Sequence, residues 1–263
     1  MMTPESFELH IADGIAQIVL SRPEAYNALT FDVYRELIQV FADLQAEEQV
    51  RVVILSGRGK AFCSGGDVRN IIGSLLEADP AKLLQFTRMT CEVVWNMRSL
   101  LKPIIACLNG VTAGAGAILA MASDFRIAAE SARIAFLFVR VGLSGADMGA
   151  CYILPKLVGF TKATELLMTG DFISSEEAHR IGLYNRVVPA DELSDVTAEL
   201  ATRLAAGPAN GLAITKQQLN AESLPLLKEV LEAEATAQAN CMLHPDFKEG
   251  YNAFIQKRNP KFL

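Results

Sequence analysis

The chain has no surplus of basic charge. Its 24 Lys and Arg face 30 Asp and Glu, for a net charge of −6. Nucleic acid and anionic membrane are therefore not expected partners, and an anionic ligand would have to be held by local groups. Cysteine is sparse and odd in number. Cys63, Cys91, Cys107, Cys151 and Cys241 have neither the paired spacing of a zinc site nor the density of a disulfide scaffold. The three histidines, His10, His179 and His244, sit apart from one another, so no cluster has metal-ligand spacing. No apolar run reaches the roughly 20 residues needed to span a bilayer, and no basic-plus-apolar leader stands near the start. The expectation is a cytoplasmic protein, neither secreted nor embedded, without a metal.

What is present is apolar residue in quantity, 51% of 263, enough to bury a substantial core. Short strands are expected at 7–11 and 15–20, joined by Asp13-Gly14, a dipeptide suited to a tight hairpin. Tyr34, Leu37, Ile38, Phe41 and Leu44 share one face of a helix over 31–49. A buried strand at 52–56 follows. A similar unit recurs as a strand at 102–109, a helix at 114–123 and strands at 124–128 and 132–136, an alternation that points to α/β architecture. After a helix start at Ser174 the pattern becomes helical, at 191–206, 211–221, 224–242 and 245–256. A soft boundary near Pro189 separates a core, 1–189, from a helical C-terminal region, 190–263, whose apolar stripes must be buried on the core or on another subunit.

Two glycine turns carry the first chemical signal. Ser64-Gly65-Gly66-Asp67 precedes a helical run over 68–76, and Asn109-Gly110 leads through Gly114-Ala115-Gly116 into an apolar helix. Small residues at a helix start leave backbone N–H groups open to a ligand oxygen. Each turn alone is equally an ordinary one, with Asp67 as a helix cap or small residues serving tight packing. Together they could supply the two converging donors that a thioester oxygen requires.

Ser21-Arg22-Pro23-Glu24-Ala25-Tyr26-Asn27-Ala28-Leu29, Ala61-Phe62-Cys63-Ser64-Gly65-Gly66-Asp67, Asn109-Gly110 and the segments 166–170, 178–187 and 247–262 resemble, in order and spacing, the enoyl-CoA hydratase/isomerase (crotonase) superfamily. The resemblance implies a crotonase-like spiral of ββα repeats with a helical C-terminal region, assembled as a homotrimer or homohexamer. It implies an acyl-CoA thioester as ligand, with coenzyme A as part of the substrate and no tightly bound cofactor. Carried over by position, the oxyanion donors are the N–H groups of Gly66 and Ala115, the latter where the family usually has glycine. Contacts to coenzyme A fall at Arg22, Ala25, Ala61, Ser64, Gly65, Gly66, Asp67, Phe254 and Lys257, the last two often reaching over from a neighbouring subunit. The acyl pocket falls at Val68, Ile118 and Phe138.

Family hydratases place two glutamates where this chain has Ile118 and Phe138, and neither side chain can move a proton. The acid that remains is Asp147, eight residues before Pro155, a spacing similar to family isomerases in which a single acid carries the proton. Apolar neighbours would desolvate Asp147 and strengthen it as a base. The competing reading makes Asp147 the cap of a helix beginning near Met148. Glu92 reads as a solvated helix face, and Arg140 as a residue free to hold a substrate carboxylate or to pair with Asp147. The expectation is an enoyl-CoA isomerase. A hydratase, hydrolase or decarboxylase with an unusual acid arrangement and a non-catalytic acyl-CoA-binding protein are the alternatives.

Overall fold

The computed structural model describes residues 2–221 and 224–262, so residue 1 of the expected core and residues 222, 223 and 263 of the expected helical region lie outside it. The chain opens with the antiparallel hairpin β1 (Phe7–Ala12) and β2 (Ile15–Leu20), turning at Asp13 (φ 51°) and Gly14 (φ 78°) as the Asp-Gly pair requires. A 3₁₀ turn, Pro23–Ala25, leads to α1 (Phe31–Ala46), started by Thr30, whose Oγ1 accepts from Val33 N–H at 3.3 Å. α1 ends three residues earlier than its spacing suggests. Lys102 Nζ donates to the carbonyls of Leu44, at 2.5 Å, and Glu47, satisfying the orphaned end of the helix.

From there the chain winds through β3 (Val52–Gly57), β4 (Ala61–Cys63), a π-type turn at Val68–Ile72, the single turn α2 (Gly73–Leu75) and α3 (Pro80–Ser99). The next coil is β5 (Ile104–Leu108), β6 (Val111–Ala113) and α4 (Ala115–Ala122), followed by β7 (Phe125–Ala129), β8 (Arg133–Ala135) and a 3₁₀ turn at Leu137–Val141. Each coil gives one strand to each of two sheets. The larger has the order β1-β2-β3-β5-β7-β10; the smaller is β4-β6-β8-β9, with β9 at Ile173–Ser174 and β10 at Arg186–Val188. Parallel pairing of β3 with β5 and of β5 with β7, and likewise of β4 with β6 and of β6 with β8, is the register of a ββα spiral. Strands β4 and β6 were not expected, because three residues are too few to show an alternation.

Between β8 and β9 lie α5 (Ala150–Val158) and α6 (Phe160–Thr169), and between β9 and β10 lies α7 (Ser175–Arg180). The tail is α8 (Leu193–Ala205), α9 (Ala209–Ala221), α10 (Leu224–Met242) and α11 (Pro245–Ile255). α8 lies on β3, β5 and β7, and α10 runs along α3. Among the described residues no helix is long and apolar enough to cross a membrane.

Candidate functional site

Strand β4 delivers the first glycine turn against residues 25–29. Leu29 N–H donates to Gly65 O and Asp67 N–H to Leu29 O, both at 2.8 Å, a parallel bridge in which the N–H of Gly66 faces away from Leu29. Strand β6 delivers the second, where Ala115 is the first residue of α4 and its N–H has no partner within the helix. Neither the Gly66 nor the Ala115 N–H donates to an acceptor among the described residues. The two turns touch. A side chain at Gly65, whose φ is 105°, would stand 3.4 Å from Ala115 N, and one at Gly116 would meet Cys63 O at 2.3 Å. Only glycine lets the backbones approach so closely.

The loops expected to receive coenzyme A are joined to these turns, although some of the named groups are already engaged. Ser64 Oγ reaches Ala25 O at 3.5 Å. Arg22 Nη2 pairs with Asp67 Oδ2 at 3.1 Å, and its Nη1 donates to Ala28 O at 2.7 Å. Asp67 is indeed a cap, accepting from Arg69 N–H and Asn70 N–H. Burial raises its proton affinity, but the Asn70 donors and the Arg22 guanidinium outweigh this and hold the carboxyl below its ordinary value. Ala61 is 1% exposed, and its carbonyl accepts the amides of Asn27 and Asn109. Phe254 and Lys257 are exposed at the end of α11.

Asp147 follows the 3₁₀ turn at Leu137–Val141 and precedes α5. It is buried, and its Oδ1 has no hydrogen-bond partner. The alternative of a capping carboxylate fails, since the residue at the cap position of α5 is Gly149 and the N–H groups at that helix start are taken by another acid. Burial pushes the Asp147 carboxyl up to about 7, with a further push from the charge of Glu234, while the Gln238 amide and Met148 N–H pull it back. The next two residues, Met148 (φ 51°) and Gly149 (φ 85°), are both left-handed, and the non-glycine one is the kind of strain that recurs at working sites. Ile118 and Phe138 are buried, on α4 and the 3₁₀ turn, and Val68 is half-buried at the start of the π-type turn.

Three participants escaped the sequence reading. Tyr34 had been assigned only to a packing face. Its hydroxyl lies 3.8 Å from where a side chain on Gly66 would begin, and burial together with the charges of Cys63 and Asp147 keeps it protonated well above its ordinary range. Tyr34 thus lies against the first turn and feels the charge of Asp147. Glu234 and Gln238, on α10, are buried beside Leu227, Leu231, Ala235 and Met242. Two polar residues one turn apart on an otherwise apolar stripe were the available signal. Glu234 is pushed to about 7 by burial, offset by the N–H groups of Gly149, Cys151 and Ala150.

Other candidates lie apart. Glu92 is exposed. Arg140 pairs with Asp171, and not with Asp147. His179 Nδ1 contacts Tyr184 O at 2.9 Å, and His244 accepts from Asp246 N–H at the start of α11. A separate cavity of about 500 Å³ is lined by side chains of α5 and α9 and by Asp124 and Arg126, but its cations are engaged. Lys216 binds Asp124 at 2.7 Å, and Arg126 donates to the carbonyls of Ser123 and Leu183. Among the described residues, no group of three or more His, Cys, Asp or Glu is placed to hold a metal ion.

The family described as Enoyl-CoA hydratase/isomerase matches residues 10–263. The 1,2-epoxyphenylacetyl-CoA isomerase of Escherichia coli (strain K12) is 32% identical, with 96% of each chain covered. The trans-2-decenoyl-[acyl-carrier-protein] isomerase of Streptococcus mutans is 30% identical, again with 96% of each covered. A crystal structure from Streptomyces coelicolor A3(2), itself only provisionally described as an enoyl-CoA hydratase, is 48% identical. It superposes with a TM-score of 0.82 over 99% of this chain and 94% of that one.

Proposed function

Because the chain belongs to the enoyl-CoA hydratase/isomerase family, the crotonase superfamily of enzymes, we propose that it moves a double bond within an enoyl-CoA thioester, with Asp147 as the proton carrier. One observation carries this reading. Asp147 is a buried carboxyl poised near neutrality with a free oxygen, in a chain that has Ile118 and Phe138 where family hydratases have glutamates. The N–H groups of Gly66 and Ala115 receive the thioester oxygen and stabilise the charge that develops there. That charge makes a proton on C2 or C4 acidic. The Asp147 carboxylate takes it, a dienolate results, and the resulting acid returns the proton two carbons along.

Hydration fits less well. It needs a second acid free to activate water, and the other buried carboxylates are engaged: Glu234 accepts from Gly149 N–H at 2.5 Å and from Cys151 N–H at 3.0 Å, and Asp67 is held by Arg22 and Asn70. Two relatives named as isomerases support the same choice. The test is incubation with 2-enoyl- and 3-enoyl-CoA of several chain lengths, with products weighed by mass spectrometry. Interconversion without change of mass is expected. Gain of one water as the main product would replace the isomerase with a hydratase, and binding without turnover would leave a non-catalytic thioester binder.

We also infer a homotrimer or homohexamer, supported by the exposure of Phe160 (78%), Leu219 (76%) and Met168 (74%). Light scattering that returned a monomer would refute it.

A further inference from the structure

The segment carrying Asp147 is held from outside, by one helix, at both of its ends. Gln238 on α10 accepts from Ser144 N–H at 2.8 Å and donates from Nε2 to Ser144 O at 3.3 Å, fixing the entry. One turn earlier on the same helix, Glu234 accepts from the N–H groups of Gly149 and Cys151, fixing the exit. Between these anchors lies the left-handed pair Met148 and Gly149, a conformation that persists only when its surroundings enforce it. α10 is itself tied to α3. Thr87 Oγ1 donates to Ala235 O at 2.7 Å and Cys91 Sγ to Leu231 O at 3.4 Å.

We propose that Glu234, with Gln238, is a positioning residue of the isomerase: it aims Asp147 into the acyl site and, when ionised, sets a negative charge behind it. The proposal rests on the reading of Asp147 as the proton carrier. Of these two acids, Glu234 is the one whose carboxylate form is better held, because main-chain donors at the start of α5 satisfy both of its oxygens, whereas Asp147 keeps an oxygen free. The other groups acting on this region are Tyr34 from α1, Cys91 from α3, Cys151 from α5, which hydrogen-bonds Glu234, and, through Tyr34, Cys63 from β4. All four are kept protonated by burial, and among the described residues no cation acts on Asp147. Glu234 is therefore the partner that disfavours loss of the Asp147 proton and makes the resulting carboxylate a stronger base. The helical tail then serves the reaction directly, as well as covering the core.

The test compares Glu234→Gln with Gln238→Ala in the full-length enzyme, measuring kcat, KM and the pH dependence of kcat/KM. Glu234→Gln removes the charge and nearly preserves the shape. Its rising limb should move to lower pH by about one unit, with kcat at pH 8 down roughly tenfold and KM within twofold. Gln238→Ala loosens one anchor and removes an amide that pulls the Asp147 carboxyl down, so kcat should fall while the midpoint moves upward, opposite to Glu234→Gln. An unmoved midpoint and unchanged kcat in Glu234→Gln would overturn the proposal. If Glu234→Gln fails to fold, Gln238→Ala and Glu234→Asp decide: kcat down at least fivefold in either one, with KM within twofold, supports it, and unchanged kcat in both overturns it. Asp147→Asn separates the two levels of the argument. If that variant is active, the proton-carrier reading is wrong whatever Glu234 does, and if it is inactive while Glu234→Gln is normal, only the positioning role is lost.

Discussion

Asp147→Asn should make the protein more stable at alkaline pH, by an amount the site itself sets. In the fold the carboxyl binds its proton until about pH 7, against an ordinary value of 3.8. Between those values the folded chain holds one proton more than the unfolded chain, so unfolding releases a proton and stability falls as the pH rises. Above about pH 7 both states are ionised and the loss is complete. The gap is about three pH units at 1.36 kcal/mol each, on the order of 4 kcal/mol in total, as expected for a buried carboxylate with one oxygen unpartnered. Asparagine has nearly the same shape and no charge to desolvate. The stability of the variant relative to the native enzyme should therefore grow by about 3 kcal/mol between pH 5 and pH 8, the part of the window above pH 5. The effect of Glu234 on pH dependence is present in both proteins and largely cancels in the difference. Urea unfolding at the two pH values measures it. A difference that stays constant with pH, or that favours the native enzyme at pH 8, would refute the idea that Asp147 is held at a cost for the sake of its basicity.

Three further outcomes follow from the same geometry. Ala115→Pro removes one oxyanion N–H at the first position of α4, where proline suits a helix, and kcat should fall by about 10²- to 10³-fold while circular dichroism stays unchanged. Gly116→Ala places a methyl 2.3 Å from Cys63 O and forces the two turns apart, so both thermal stability and kcat should drop; an unaffected kcat would show that their contact is dispensable. Lys216→Met leaves Asp124 short of its closest cationic partner in a buried pair and should cost about 3 to 5 kcal/mol in urea unfolding, without moving the pH profile of catalysis.

The parts of this molecule legible in its sequence are those with local causes. The Asp13-Gly14 hairpin, the apolar face of α1 and the tail helices were readable because turn chemistry and helical periodicity act over a few residues. The spiral itself was reached through resemblance, since the pairing of β4 with β6 depends on two three-residue strands fifty positions apart. The same division runs through the site. Gly66, Ala115 and Asp147 stand in motifs of recognisable spacing. Arg22 and Ala61 were marked for a ligand, yet their polar groups are occupied by Asp67 and Ala28 and by Asn27 and Asn109, partners no local pattern reveals. Glu234 lies 87 positions from Asp147, and only the packing of α10 on α3 brings it to the residues that follow Asp147.

The central claim, that one buried carboxylate moves one proton on an oxyanion-stabilised thioester, is tested most directly by running a 3-enoyl-CoA in D₂O with the native enzyme and with Asp147→Asn. The native enzyme should yield 2-enoyl-CoA, unhydrated, with solvent deuterium appearing only at the two carbons between which the proton moves. Asp147→Asn should still bind the thioester but exchange and isomerise at least 10²-fold more slowly. Exchange at the native rate in that variant, or a product carrying added water, would contradict the account.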